Sequence, residues 1–273
     1  MGDLLLHSMK EFDEIIFEIL TTVKPRSVLE IGSETGNFSK RLMSFCTETG
    51  AKIAVVEPYP AKELVALAEK QDDFHLFVGK SLAYLSEFGC PADFAFVDGD
   101  HNYYTVQNEL EMIDRAWRAS GTRGIMILHD VGFPSARRDS YCDPTGIPAD
   151  ARHPFSFDQG VGSIDASPLV RGGFRGDGHF AWALHQGGPK NGVLTAVEDF
   201  LLARPEYTFR TIDAVFGLGA LTFKNSEGDR VVQKAFSRYD NALVKRLEKN
   251  RLELYLKVIE LQDALQAKSV GAG

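Results

Sequence analysis

Between Ser27 and His129 the chain alternates short apolar runs with amphipathic stretches. SVLEI, KIAVVE, FHLFV, DFAFVD and GIMILH are separated by segments whose apolar residues recur every three or four positions. Apolar runs this short, spaced by helices, bury themselves as strands of a parallel sheet covered on both faces. Strands are therefore expected at 27–31, 52–57, 74–78, 93–98 and 124–129, with helices at 37–47, 61–70, 82–88 and 105–119. A helix over 3–22, with Leu5, Met9, Phe12 and Ile16 on one face, precedes them and ends before Pro25. After a long gap come a helix at 191–203 and two apolar runs, 208–216 and 217–224. Gly217 and Gly219 mark the turn of an antiparallel hairpin there. The fold class is α/β: a doubly wound, mostly parallel, seven-stranded Rossmann-like sheet with an antiparallel last strand.

Two regions depart from this rhythm. Residues 131–192 are rich in Gly, Pro, Arg, Asp and His and show no period, which points to a substrate-covering insertion after the fifth strand. Beyond about Val231, Val244, Leu247, Arg251, Leu254, Val258, Leu261 and Leu265 advance by alternating steps of three and four. That is a heptad seam with one arginine inside it. Its expected role is homo-oligomerisation through a C-terminal coiled coil. The division is then a main unit over 1–228 and a helical tail over 229–273.

Bulk properties exclude several functions. A net charge of −8 argues against general nucleic-acid binding, which needs a basic face. Lys10, Glu11, Asp13, Glu14 and Glu18 interrupt the N-terminal apolar residues, so neither a secretion signal nor a membrane span is expected there. Cys46, Cys90 and Cys142 lie far apart with no CxxC spacing, the pattern of a reducing, cytoplasmic compartment without a zinc site.

Chemistry concentrates at strand ends. Glu30-Ile31-Gly32-Ser33-Glu34-Thr35-Gly36 closes one strand and opens a helix, and its glycines permit a sharp turn close to a ligand. Glu57 ends the next strand, where a carboxylate can accept both ribose hydroxyl protons of a nucleoside. Neither G-x-G-x-x-G nor GK[ST] is present, which disfavours a nicotinamide or phosphate site. The loop resembles motif I of class I S-adenosylmethionine-dependent methyltransferases, E/D-x-G-x-G-x-G, with Glu34 in place of the middle glycine. That resemblance implies S-adenosylmethionine as cofactor. Glu30, Gly32, Ser33 and Gly36 would lie at its methionine end, Glu57 at its ribose, Gly79 and Ser81 of VGKSLAYL beside its adenine, and Asp98 at the rim.

A second constellation follows. DGDH ends one strand with Asp98, Asp100 and His101, and HD ends the next with His129 and Asp130. Adjacent parallel strands bring these groups to one edge, where crowded carboxylates need a cation or a shared proton. Oxygen ligands suit Mg²⁺, and a histidine widens the choice to Mn²⁺, Fe²⁺ or Zn²⁺. These residues look like the metal-dependent small-molecule O-methyltransferases, in particular the macrolide-sugar methyltransferase and cephalosporin hydroxylase-like group. By that resemblance Asp98, His129 and Asp130 would be metal ligands. Asp100, His101 or His129 would be the catalytic base, His129 being open to either role. Holding a hydroxyl near the methyl and removing its proton is most of what such chemistry requires.

The insertion adds Arg137, Arg138, Arg171 and Arg175, suited to phosphate or carboxylate recognition, and Tyr141, Phe155, Phe174 and Trp182, suited to stacking. Arg137, Arg138, Tyr141 and His179 are the candidate substrate contacts. The functional expectation is an enzyme that methylates a hydroxyl of a sugar, sugar nucleotide, glycoside or other secondary metabolite with divalent-metal assistance. A metal-independent N-methyltransferase and a cofactor-binding assembly protein are the alternatives.

Overall fold

The computed structural model describes residues 5–71, 73–165 and 168–270. Its main sheet has seven strands: β1 (Ser27–Ile31), β2 (Lys52–Val56), β3 (Phe74–Phe77), β4 (Phe94–Val97), β5 (Ile125–Leu128), β11 (Tyr207–Ile212) and β12 (Leu218–Phe223). They lie in the order β11-β12-β5-β4-β1-β2-β3. β1 to β5 pair in parallel, and β12 runs antiparallel to both β5 and β11. The expected α/β fold with an antiparallel last strand is what the chain adopts.

Alternate side chains divide the sheet between two cores. Val28, Phe94, Phe96 and Ile127 pack with α1 (Asp13–Val23), α2 (Asn37–Thr49), α3 (Lys62–Ala68) and α7 (Glu227–Phe236). Leu29, Ile31, Ala95, Val97 and Leu128 pack with α4 (Ser81–Phe88), α5 (Tyr103–Ser120) and α6 (Val193–Ala203). α5 begins where the Asn102 side chain accepts the Thr105 N–H at 2.8 Å. With both faces covered, only the strand ends remain for chemistry.

Two expectations need correction, and the insertion gains strands that its sequence does not announce. The N-terminal helix does not run evenly over 3–22: a 3₁₀ turn at Met9–Phe12 precedes α1, and positions 3 and 4 lie outside the described residues. β6 (Ser140–Tyr141) and β7 (Phe155–Ser156) pair with β10 (Ala181–Ala183), and β8 (Gln159–Gly160) pairs with β9 (Val170–Arg171). Strands of two or three residues are too short to show a period. Finally, the tail is two helices, α7 and α8 (Ala242–Val270). α8 lays Leu252, Tyr255, Leu256 and Ile259 against its own chain. Arg251 leaves the anticipated seam: its guanidinium covers the Phe216 ring at 4.8 Å and pairs with Glu248. No described helix is long and apolar enough to cross a membrane.

Candidate functional site

The loops after β1, β2 and β4 meet at one point. Gly32 adopts φ +86°, and a Cβ there would lie 2.1 Å from the Asp98 carbonyl oxygen, so the crossing admits only glycine. Glu57 Oε2 accepts the Ser33 N–H at 2.8 Å and the Glu34 N–H at 3.2 Å, while Oε1 accepts the Tyr59 N–H at 3.0 Å. The second acidic strand end thereby braces the glycine loop. Glu30 is 2% exposed, and its Oε2 has no hydrogen-bond partner. Burial, with smaller contributions from Asp98 and Glu57, pushes its carboxyl up to about 8. Such a group ionises when a cation is placed against it.

Gly32, Glu34, Glu57 and Tyr59 open into a cavity of about 580 Å³ that continues over Val56, Lys80, Ser81 and Gly99 to Asp98, Asp100, His101, His129 and Asp130. A smaller recess beside Glu30, Ser33 and Phe38 adjoins it. Gly36, which opens α2 in a left-handed conformation, and Gly79, whose N–H bonds the Glu57 carbonyl, are not among the residues lining the cavity. The segment after β6 crosses the mouth. Lys80 Nζ sits 2.6 Å from Asp143 Oδ2, and the Cys142 N–H donates to Asp100 Oδ1 at 3.1 Å.

At the far end, Asp98, His129 and Asp130 offer donor atoms all within 4.8 Å of one another. His129 Nδ1 lies 3.4 Å from Asp98 Oδ1 and 3.2 Å from Asp130 Oδ2. His101 Nε2 stands 3.2 Å from Asp98 Oδ1 and 3.3 Å from Asp130 Oδ2. The other nitrogen of His129, Nε2, is 2.9 Å from the Val215 carbonyl oxygen, to which it donates. A strained turn holds that carbonyl, with Val215 at φ 43° and Phe216 at φ 65°. Asp130 is itself left-handed, at φ 58°.

The electrostatics follow from this arrangement. With Nε2–H committed to Val215, a neutral His129 would aim the Nδ1 lone pair at two carboxylates. That repulsion is relieved by a proton on Nδ1 or by a cation between the groups. Burial alone would lower His129 and His101, but Asp98 and Asp130 outweigh it: His129 is raised well above the usual imidazole range, and His101 to about 9. Burial would raise Asp98, yet the two imidazoles hold it down to about 2. Asp100 differs. It accepts from Asn102 Nδ2 at 2.6 Å, Thr105 Oγ1 at 3.3 Å and the Cys142 N–H, and burial raises it.

The four expected substrate contacts do not line the cavity. Arg137 turns to Glu198, with Nη1 2.6 Å from Oε2. Arg138 is buried and donates to the Ala183 carbonyl at 2.5 Å. Tyr141 is fully buried on Asp139 at 2.8 Å, and His179 is exposed. These arginines fold the insertion, because a buried guanidinium must find carbonyls or carboxylates nearby. Phe174 and Trp182 do reach the cavity, joined by Phe180 and Phe216. Sequence reasoning missed His7, Tyr59, Lys80 and Tyr104, which also line it. Two of them had a readable signal: Tyr59, two positions after Glu57, and Lys80, between Gly79 and Ser81. His7 Nε2 lies 3.8 Å from Glu34 Oε1, and that carboxylate chiefly raises the imidazole to about 9.

A family model described as a methyltransferase domain matches residues 29–131, the span from β1 to the loop after β5. No curated protein matches the sequence. Among solved structures, SAH-bound methyltransferase PaMTH1 of Podospora anserina is 16% identical, with 78% of each chain covered and a TM-score of 0.45. The O-methyltransferase TomG of Streptomyces achromogenes, involved in tomaymycin synthesis and in complex with SAM, is 14% identical over 81% of this chain and 92% of its own, with a TM-score of 0.43. A Corynebacterium glutamicum protein is 10% identical over 81% and 85%, at 0.46. Residues 29–131, which carry the glycine loop, Glu57 and the Asp98–Asp130 cluster, match a methyltransferase domain.

Proposed function

We propose that this protein is a class I methyltransferase that takes S-adenosylmethionine as donor and methylates a hydroxyl of a small molecule, such as a sugar, a glycoside or another secondary metabolite. One observation carries the reading: the glycine loop and the Asp98–His129–Asp130 cluster open into the same cavity. The unpartnered Glu30 oxygen fits the ammonium of a methionine moiety, Glu57 fits a ribose, and Ser81 fits the adenine end. When bound, the cofactor supplies an electrophilic methyl on a sulfonium. The protein's part is to orient the acceptor oxygen and accept its proton.

Asp98, His129 and Asp130 would hold a divalent ion, with Mg²⁺ favoured by the two carboxylates, and the ion would lower the acceptor hydroxyl's pKa. With an ion neutralising Asp98 and Asp130, which otherwise keep His101 protonated, His101 is the base this geometry favours. It faces the cavity and touches both carboxylates, whereas Asp100 already receives three donors and His129 is 2% exposed. The aromatic wall of Phe174, Phe180, Trp182 and Phe216 suits the apolar face of a ring. A metal-independent transfer to nitrogen is the second reading. Its support is that two imidazolium groups against Asp98 and Asp130 would close the charge balance without an ion.

The main unit proposed for 1–228 extends through α7, since Val232, Ala235 and Phe236 belong to the core under the sheet. A cytoplasmic location belongs to the same proposal and is supported by three free cysteines. Calorimetric titration with S-adenosylmethionine and its demethylated product tests the donor. Heat of binding for both is expected, and no binding by either refutes the reading. Turnover of candidate glycosides with and without chelator then separates the two acceptor chemistries.

A further inference from the structure

α8 has two apolar faces, and only one is used. Leu252, Tyr255, Leu256 and Ile259 point inward. On the other side Leu243, Leu247, Leu254, Leu261 and Leu265 are between 53% and 69% exposed. At about 100° per residue these five fall within an arc of about 40°, opposite the buried face. Exposed leucines scattered singly are ordinary, but five in one line along a helix are a docking surface. This stripe is not the seam expected from the heptad, because Arg251 has turned inward and Leu243 stands in for Val244.

The spacing identifies the occupant. Leu247 and Leu261 lie seven positions either side of Leu254, and Leu243 and Leu265 lie eleven either side. A stripe symmetric about its own centre is complementary to itself when a second copy is turned end for end, as a two-fold interface requires. We infer that the protein is a homodimer in which two α8 helices pair antiparallel, Leu254 packing on its counterpart at the dyad, Leu247 on Leu261 and Leu243 on Leu265.

The flanking charges agree. Arg246, Glu253, Lys257 and Glu260 share one side of the stripe. The dyad sets each flank against the same flank of the second copy, so Arg246 comes opposite Glu260 and Glu253 opposite Lys257, both of opposite sign. Parallel pairing would instead set each flank against the opposite flank of the second copy and would bring Asn250 and Lys257 against their own copies.

Sedimentation of the full chain at tens of micromolar tests this. A mass of twice the 30.2 kDa chain is expected. Leu254→Glu, which places two carboxylates at the dyad, should weaken the dimer at least about 100-fold. Its circular dichroism should not change, because Leu254 is not part of the packed face. Single cysteines report the direction. Under mild oxidation Leu254→Cys should form a disulfide with its own copy, and Leu247→Cys alone should not, since its copies would stand about 21 Å apart. Mixing Leu247→Cys with Leu261→Cys should restore cross-linking, with the unsubstituted chain controlling for exposed Cys142. A monomeric wild type, or a dimer untouched by Leu254→Glu, overturns the interface. Self-cross-linking of Leu247→Cys equal to that of Leu254→Cys overturns the antiparallel arrangement.

Discussion

Glu57 Oε2 stands 2.8 Å from the backbone nitrogen of Ser33 and accepts its hydrogen bond, tying the end of β2 to the glycine loop before any ligand arrives. The carboxylate thus does two things: it shapes the loop, and it faces the ribose end of the proposed cofactor. Glu57→Ala removes the acceptor for Ser33, Glu34 and Tyr59. Expected outcomes are a loss of about 1–3 kcal/mol in denaturant unfolding and a fall in S-adenosylmethionine affinity of at least about tenfold by calorimetry. Unchanged affinity would place the ribose elsewhere.

Asp98, like Asp130, touches both histidines of the cluster. If it holds a divalent ion, Mg²⁺ at 100 times its dissociation constant should stabilise the wild type by about 2.7 kcal/mol. In Asp98→Asn that gain should vanish while the S-adenosylmethionine response remains. Chelation should abolish turnover and Mg²⁺ should restore it. A wild type indifferent to chelator in both stability and turnover would favour the metal-free reading.

How much of this was legible in the sequence depends on length scale. The strands expected at 52–57, 93–98 and 124–129 were readable because four consecutive apolar residues, at 53–56, 94–97 and 125–128, leave few alternatives to a buried strand. The acidic strand ends were readable as a cluster because adjacent parallel strands share a rim, and Asp98, His129 and Asp130 do converge. Arg138 and Tyr141 were not readable. A local sequence cannot say whether a guanidinium faces a ligand or the Ala183 carbonyl, which lies forty-five positions away. For the same reason the heptad count could not show that Arg251 would prefer Phe216 and Glu248 to the seam.

Glu109 on α5 is fully buried, and burial pushes its carboxyl up to about 8, more than Ser81 and His101 pull it back. Below the unfolded carboxyl range both states hold the proton and stability is unaffected. As pH rises toward 8 the unfolded chain has lost its proton while the native chain keeps it, so native stability declines over that window and levels off above it. Glu109→Gln cannot ionise and should flatten this decline. Relative to wild type, the variant should gain on the order of a few kcal/mol between pH 5 and pH 9. Parallel stability curves for the two proteins would show that Glu109 is ionised in the native state.

Asp263 ties α8 to the proposed acceptor wall. Its Oδ2 accepts the Gly173 N–H at 3.0 Å, and its Oδ1 lies 3.0 Å from Arg175 Nη1. Between those two residues, Phe174 stacks on Phe216 with ring centres 5.8 Å apart and meets Tyr255 edge-on. The wall is therefore positioned from α8 rather than from the sheet. Asp263→Ala frees the loop while leaving Glu30, Glu57 and the Asp98 cluster intact. KM for the acceptor should rise about tenfold, whereas the affinity for S-adenosylmethionine and the kcat at saturating acceptor should change less than about twofold. Asp263→Asn, which keeps an acceptor for the Gly173 N–H, should recover much of the loss, because the backbone bond does more than the partly exposed ion pair. A uniform drop in kcat with KM unchanged would mean that α8 acts on the chemistry and not on the shape of the acceptor cavity.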